Sequence, residues 1–278
     1  MAPRPVQGLA FEHKEAKKIL AEVEALLGAG FSENSARQER NIMITATKTV
    51  RELATELPNA TRIFEKLGID YCCGGHKSLE EACETANTSV DRVLLALEQG
   101  VDASVSDTAG RDWSSVPLPE LVDHIINTHH AYVKSELPRL EALIAKVVRV
   151  HGKNHPELET VQTAFTALGQ ELSAHLMKEE QILFPFVKHM ASGNDCGPSC
   201  FGTVQNPIRV MMMEHDGAGE KLREMRQATS NYTLPADACF SYGTLFGALQ
   251  DFERDLHQHI HLENNILFPR AIALERNN

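Results

Sequence analysis

Two stretches decide the fold: Ala174-His175-Leu176-Met177-Lys178-Glu179-Glu180-Gln181-Ile182-Leu183-Phe184-Pro185 and, beginning 84 residues later, Gln258-His259-Ile260-His261-Leu262-Glu263-Asn264-Asn265-Ile266-Leu267-Phe268-Pro269. Each sits in a stripe with the three-four spacing of one helix face. The first stripe runs Leu168, Leu172, His175, Glu179, Leu183, Phe186, and the second Leu249, Phe252, Leu256, His259, Glu263, Ile266. A histidine and a glutamate therefore stand, twice, where an apolar core residue is expected. Members of each pair are four apart, so they project from successive turns of one face. Two such pairs facing across a bundle would bury two carboxylates together. That is strongly unfavourable unless they are protonated or bound by a cation, and imidazoles beside paired carboxylates suit a di-iron or di-manganese centre.

The repeat also picks out His130 and His215, which are 85 apart. His130 and His175 are 45 residues apart about a midpoint near 152, and His215 and His259 are 44 apart about a midpoint near 237. Gly152 and Pro235 mark turns near both midpoints, and residues equidistant from the turn of an antiparallel hairpin lie at one height. The expected metal ligands are thus His130, His175, Glu179, His215, His259 and Glu263. If both glutamates bridge, each metal receives two imidazoles and two carboxylate oxygens, with room for a solvent-derived bridge and an open position. The donor set leaves both iron and manganese open.

Outward from these stretches, four long helical patterns fit about 118–150, 156–190, 205–228 and 237–273, with Pro138 expected to kink or break the first. No segment alternates with period two, so the fold class is all-α, with an antiparallel four-helix bundle at 118–275. Before it, 101–117 reads as a linker and 47–100 as a small helical domain. Its short helices lie around Val50–Leu57, after Asn59 as a cap and up to Gly68, from Ser78 to Ala86, and from Ser89 to Gln99 with Gly100 just past the end. Residues 1–46 read as an extension, with an amphipathic helix over Phe11, Ile19, Leu20, Val23, Leu26 and Leu27, then a polar linker.

The chain has 278 residues, 27 Lys plus Arg against 38 Asp plus Glu, and a formal charge of −11, which disfavours nucleic acid as a partner. No apolar run is long enough for a membrane span and no secretory leader is evident, so the expected compartment is the cytoplasm. Six cysteines there read as thiols or metal ligands rather than disulfides. Cys72 and Cys73, in Asp70-Tyr71-Cys72-Cys73-Gly74-Gly75-His76, are either two buried thiols in a tight turn or a thiolate pair for transient metal or redox work. Cys196 and Cys200 suggest an exposed or redox-active loop, Cys83 and Cys239 core, and Met211-Met212-Met213 helix packing. His129 and His124 are expected to point away from the ligand face and to be either structural or supports behind the ligands, His151 to lie in the turn, and His257 and His261 to be solvated. His13, His76, His155 and His189 show no partner pattern.

With its Asp-Tyr-Cys-Cys-Gly-Gly loop in a small helical domain and two His-x-x-x-Glu helices ending in Ile-Leu-Phe-Pro, the chain resembles the Repair of Iron Centers family of iron-sulfur cluster repair di-iron proteins. Those proteins join a short cysteine-containing domain to a hemerythrin-like bundle, and the resemblance covers about 47–275. It implies a non-heme di-iron centre, oxo- and carboxylate-bridged, on the same six residues, and a functional role for Cys72 and Cys73. It further implies restoration of iron-sulfur clusters damaged by nitric oxide or peroxide through iron supply rather than classical turnover. Damaged iron-sulfur proteins are then the expected partners, with nitric oxide or dioxygen as small ligands, and a homodimer is compatible. The alternatives are a nitric oxide reductase and a nitric oxide or dioxygen sensor using the same site.

Overall fold

The computed structural model describes residues 44–57, 59–102, 111–193 and 201–277. The expected helix at 11–27 with most of the polar linker after it, residues 103–110 of the linker at 101–117, and the Cys196/Cys200 loop lie outside them. The chain divides into two compact units. One takes the residues up to Ile69 and Lys77–Arg111, and the other takes Asp112 onward together with the short segment Asp70–His76.

The small unit has four helices, α1 (Val50–Glu56), α2 (Ala60–Leu67), α3 (Leu79–Thr85) and α4 (Val90–Asp102). Capping boxes start α1 and α3: Thr49 and Ser78 accept from the backbone of Glu52 and Glu81, whose carboxylates accept in return from the cap N–H groups. α2 stops at Gly68, whose φ is 69°. Val50, Leu53, Phe64, Leu79, Cys83, Val93 and Leu97 form its core. Gly100 is inside α4 rather than past its end. A Cβ there would lie 2.7 Å from Ile63 Cδ1, so this glycine permits close approach of α2 and α4. Asn59 does not cap α2 with its side chain but donates to the Gly100 carbonyl at 3.0 Å.

The second unit is built from four long helical runs. α5 comprises Leu118–His124, a π turn Ile125–His130 and Ala131–His151. α6 comprises Glu157–Lys178, a π turn Glu179–Leu183 and Phe184–Ala191. α7 is Gln205–Ala228, and α8 comprises Phe240–His261, a π turn Leu262–Leu267 and Phe268–Asn277. Side-chain pairs show the helices to be antiparallel neighbours: His130 with Glu180 and Asp123 with Lys188 link α5 to α6, His175 with Glu214 and Glu171 with Lys221 link α6 to α7, and His215 with Asn264 and Arg226 with Glu253 link α7 to α8. No strand occurs among the described residues, only an isolated bridge between Thr49 and Ser78.

α5 continues unbroken through Pro138, with Leu137 and Leu140 buried beside it, so packing outweighs the lost hydrogen bond. Pro185 and Pro269 have a different role. A proline ring clashes with the carbonyl four residues back. Those residues, Gln181 and Asn265, lie inside π turns, where the widened backbone makes room.

Two apolar clusters fill the bundle. One includes Leu140, Ile144, Phe165, Leu168, Leu172, Leu249, Phe252 and Leu256, and the other Leu121, Ile125, Leu183, Phe184, Ile208, Ile266 and Phe268. Each such side chain contributes roughly 1.5–3 kcal/mol by leaving water. Between the clusters lies a polar layer. Cys239 is exposed rather than core, because it precedes the first turn of α8, and of the three consecutive methionines only Met211 is buried. Adjacent helical residues point about 100° apart, so a run of three cannot share one face.

Candidate metal centre

The polar layer is made of His130 from α5, His175 and Glu179 from α6, His215 from α7, and His259 and Glu263 from α8, each no more than 3% exposed. All six residues singled out in the sequence come together here. They fall into two overlapping groups of donor atoms: His130, Glu179, His259 and Glu263, and His175, Glu179, His215 and Glu263. The histidines of each group come from different hairpins. His130 and His259 present their Nε2 atoms 3.1 Å apart, and His175 and His215 theirs 3.0 Å apart.

Both carboxylates touch both groups. Glu263 Oε1 is 3.0 Å from His259 Nε2, and its Oε2 is 3.1 Å from His215 Nε2. Glu179 Oε2 is 3.3 Å from His175 Nε2 and 3.5 Å from His130 Nε2. Yet both oxygens of Glu179 and Oε2 of Glu263 have no hydrogen-bond partner despite complete burial. Leaving buried charged oxygens unsatisfied costs several kcal/mol, so four Nε2 atoms and unbonded carboxylate oxygens converging on one volume fit a pair of bridged cations. Without a cation the charge is balanced by protons. Burial opposes a charge on His130 and His175, but Glu179 and Glu263 outweigh it and raise their pKa to about 10 and about 9. Burial likewise disfavours the two carboxylates in charged form, yet the surrounding imidazoles pull both pKa values below the usual range. His259 is shifted down, chiefly by burial.

Three of the four outer imidazole nitrogens are held. His130 Nδ1 meets Glu180 at 2.8 Å, a carboxylate also bound by Lys134 at 2.6 Å. His175 Nδ1 meets Glu214 at 2.8 Å, and Lys178 pairs with the same carboxylate. His215 Nδ1 meets Asn264 Oδ1 at 2.9 Å. His259 Nδ1 has no hydrogen-bond partner, and its ring lies parallel to that of His129 with centroids 5.7 Å apart. Such partners fix ring orientation and tautomer and raise the donor strength of the inner nitrogen. The sequence reading missed Glu180, Glu214 and Asn264. One signal was present: Asn264 follows Glu180 by the 84-residue offset of the repeat.

π turns occur in three of the four helices, and each contains a donor: His130, Glu179 or Glu263. The extra residue in such a turn shifts the phase of everything beyond it. Phe186, expected on the inner face, is therefore only partly buried, while Phe184 and Val187 are buried. His129 turns away from the layer and meets Asp255 at 2.9 Å, and His124 stacks on Trp113. His261 is not solvated as expected but 3% exposed, because Asp70–His76 covers that face of α8. Its Nδ1 lies 2.8 Å from Asn265 Nδ2 and its ring meets Tyr71 edge-on. His257, also beside Tyr71, is part-buried. At the far end of the bundle, His155 pairs with Glu157 and Asp237, and His151 Nε2 is 3.1 Å from Cys239 Sγ.

In the covering segment, Cys72 is buried and its Sγ lies 3.8 Å from that of Cys73. The hydrogen bond with Cys73, burial and the charge of Asp70 all push the Cys72 thiol well above its usual pKa. Cys73 donates to the His215 carbonyl at 3.6 Å. Asp70 accepts from the Cys72 and Cys73 backbones at 3.2 and 2.9 Å, and Asp70, Cys72 and Cys73 form a third set of potential metal donors.

Comparison with known proteins bears on this geometry. The family model for the hemerythrin HHE cation binding domain matches residues 121–271, and one for a domain of unknown function (DUF542) matches 46–100. The chain is 41% identical over 233 residues to a probable iron-sulfur cluster repair protein of Haemophilus influenzae, covering 83% of this chain and 99% of that one. It is 38% identical over 224 residues to the iron-sulfur cluster repair protein YtfE of Citrobacter koseri and 39% identical to that of Escherichia coli O81, each time covering 81% of this chain and 96% of the relative.

Proposed function

The chain belongs to the hemerythrin HHE cation-binding family and to the iron-sulfur cluster repair proteins, and from that premise we propose that it holds a non-heme di-iron centre and supplies iron from it to iron-sulfur proteins damaged by nitrosative or oxidative stress. The observation that carries this reading is the pair of fully buried glutamates, Glu179 and Glu263, whose oxygens reach histidines of both groups while three of them lack a hydrogen bond. One iron would be held by His130 and His259, the other by His175 and His215, with both carboxylates shared. When bound, iron supplies a redox couple and an exchangeable cation.

The remaining chemistry lies in the chain's own residues. The apolar clusters on either side keep water from the layer and strengthen its electrostatics. Glu180, Glu214 and Asn264 aim three of the imidazoles. His130 and His175 carry protons at neutral pH when the carboxylates lack a cation, so the layer can be emptied without leaving naked buried charge. Cys73, which donates to the His215 backbone carbonyl, and its neighbour Cys72 are the thiols we assign to the delivery side of this chemistry. The proposed setting is the cytoplasm. Among the described residues no helix is long and apolar enough to cross a membrane.

The test is anaerobic transfer. The iron-loaded protein is mixed with a nitric-oxide-damaged iron-sulfur enzyme, and iron loss is followed together with recovery of the client. Stoichiometric loss with recovery is expected. Iron that stays bound while nitric oxide is consumed or retained would replace repair by the reductase or sensor reading. Replacing Cys72 and Cys73 by Ser should leave iron content unchanged and impair recovery, and full recovery would reduce the pair to a packed turn.

A further inference from the structure

The four imidazoles are not held alike at their outer nitrogens. His130 and His175 are braced by carboxylates that are each tied to a lysine, and His259 has no hydrogen-bond partner at Nδ1. Among the described residues, only His215 is held by a side chain whose other end reaches outside the four helices. Asn264 accepts from His215 Nδ1–H through Oδ1 at 2.9 Å and donates through Nδ2 to the Cys72 carbonyl at 3.3 Å. These two bonds fix which way the amide points, because a metal on Nε2 leaves Nδ1 as a donor and a carbonyl can only accept.

The contact is part of a built seam. Asn264 and Asn265 are 4% and 6% exposed within the π turn of α8, and Asn265 donates to the Tyr71 carbonyl at 2.8 Å. A Cβ on Gly75 would come within 2.8 Å of Asn265 Oδ1 and 3.2 Å of the Tyr71 carbonyl, so a larger residue would have to displace the amide or the loop. Cys73 closes the seam on α7 by donating to the His215 backbone carbonyl. His215 is thus gripped by the thiol loop at both ring and backbone. The outer nitrogens of the other three rings make no such link to the loop.

We propose that Asn264 is a positioning residue that ties the loop Asp70–His76 to the His215 corner, making the metal held by His175, Glu179, His215 and Glu263 the exchangeable one, with the loop setting its release rate. When the loop shifts, Asn264 loses or re-aims its hold on His215, while the His130 and His259 rings keep their surroundings. The metal at the corner whose backbone Cys73 touches is then the one free to leave. This deepens the repair reading and rests on it.

The test needs no client. Protein loaded with two equivalents of iron is reduced anaerobically and challenged with excess ferrous chelator, and release is followed with time. Two phases of one equivalent each are expected. Asn264→Leu, which removes both bonds, should accelerate the fast phase about tenfold and leave the slow phase in place. Asn264→Asp keeps and strengthens the acceptor for His215 but loses the donor to the loop, so it should slow the fast phase. Opposite signs from one position are not what a general loosening of the bundle produces. Release of both equivalents in one phase from the unaltered protein would overturn the proposal, as would variants that move both phases together or neither. If Asn264→Leu does not hold two irons, Asn264→Asp decides alone. Failure of the repair reading would look different: two-phase release as expected, with no recovery of a damaged client.

Discussion

One face of α6 passes through two environments within a few turns. At Phe165, Leu168 and Leu172 it is dry hydrocarbon packed against α5 and α8, and at His175 and Glu179 the same stripe turns ionisable while remaining as buried. The dry stretch gains from leaving water. The polar layer loses solvation and recovers it only through a cation, through protons on His130 and His175, and through the outer carboxylates and amide. The dry stretch supplies stability, and the layer draws on it to hold a site.

Glu179→Leu attacks that division most directly. Removing a carboxylate shared by both groups should lower iron affinity by more than the roughly 10–100-fold cost of losing an outer partner. The metal-free protein should melt lower than the unaltered metal-free protein, since His130 and His175 lose the carboxylate that balances them, and removing one partner of a buried pair is destabilising where replacing both is often neutral. Metal analysis and calorimetry on one sample check both halves. Glu263→Leu should behave alike, whereas His261→Gln, which faces Tyr71 and Asn265, should retain iron. Equal metal loss in all three would break the assignment of faces.

Phe165→Ala makes the reciprocal change. Phe165 is fully buried and meets Phe252 edge-on with ring centroids 5.5 Å apart. Its truncation should cost about 3–5 kcal/mol in denaturant unfolding while iron stoichiometry stays intact. Loss of iron at that position would mean that the two environments are not separable.

Most of this contrast was legible in the sequence. His175, Glu179, His259 and Glu263 interrupt apolar stripes at helical spacing, and the hairpin arithmetic brought His130 and His215 to the same layer. The pairing of histidines across hairpins, and everything beyond the π turns, was not legible by a fixed period, because one added residue rotates every later side chain of the helix. The Pro185 and Pro269 rings are the local trace of two of those turns. His261 was misplaced for a different reason. Its face of α8 is covered by a segment nearly 200 residues earlier, and no helical pattern records a partner supplied from elsewhere in the chain.

The outer braces give a smaller, sharper handle. Glu214→Gln and Glu180→Gln keep the shape but remove the charge behind His175 and His130. Each should weaken iron binding by about 10–100-fold, or about 1.4–2.7 kcal/mol, in chelator competition, with little change in metal-free melting. An equal loss of melting temperature would make these residues part of the packing rather than of the centre.

The smallest effect is expected at the far end, where His155 sits between Glu157 and Asp237 at 2.9 Å from each. Burial opposes the charged imidazole, but the two carboxylates outweigh it and raise its pKa, while the His155 hydrogen bond lowers that of Asp237. A raised histidine stabilises the fold fully below its unfolded value of about 6.5, and this contribution fades as pH rises through the higher folded value. The lowered carboxylate works in the opposite sense, its contribution fading as pH falls through its folded value. The pair is therefore strongest in mildly acidic solution. The melting difference between unaltered protein and His155→Gln, both metal-free, should be largest there, about a degree, and should shrink toward alkaline pH and in high salt. The titrations of the metal layer cancel in that difference, so a gap that instead grew with pH would show that the far end and the centre are coupled through the dry stretch, contrary to the division drawn between them.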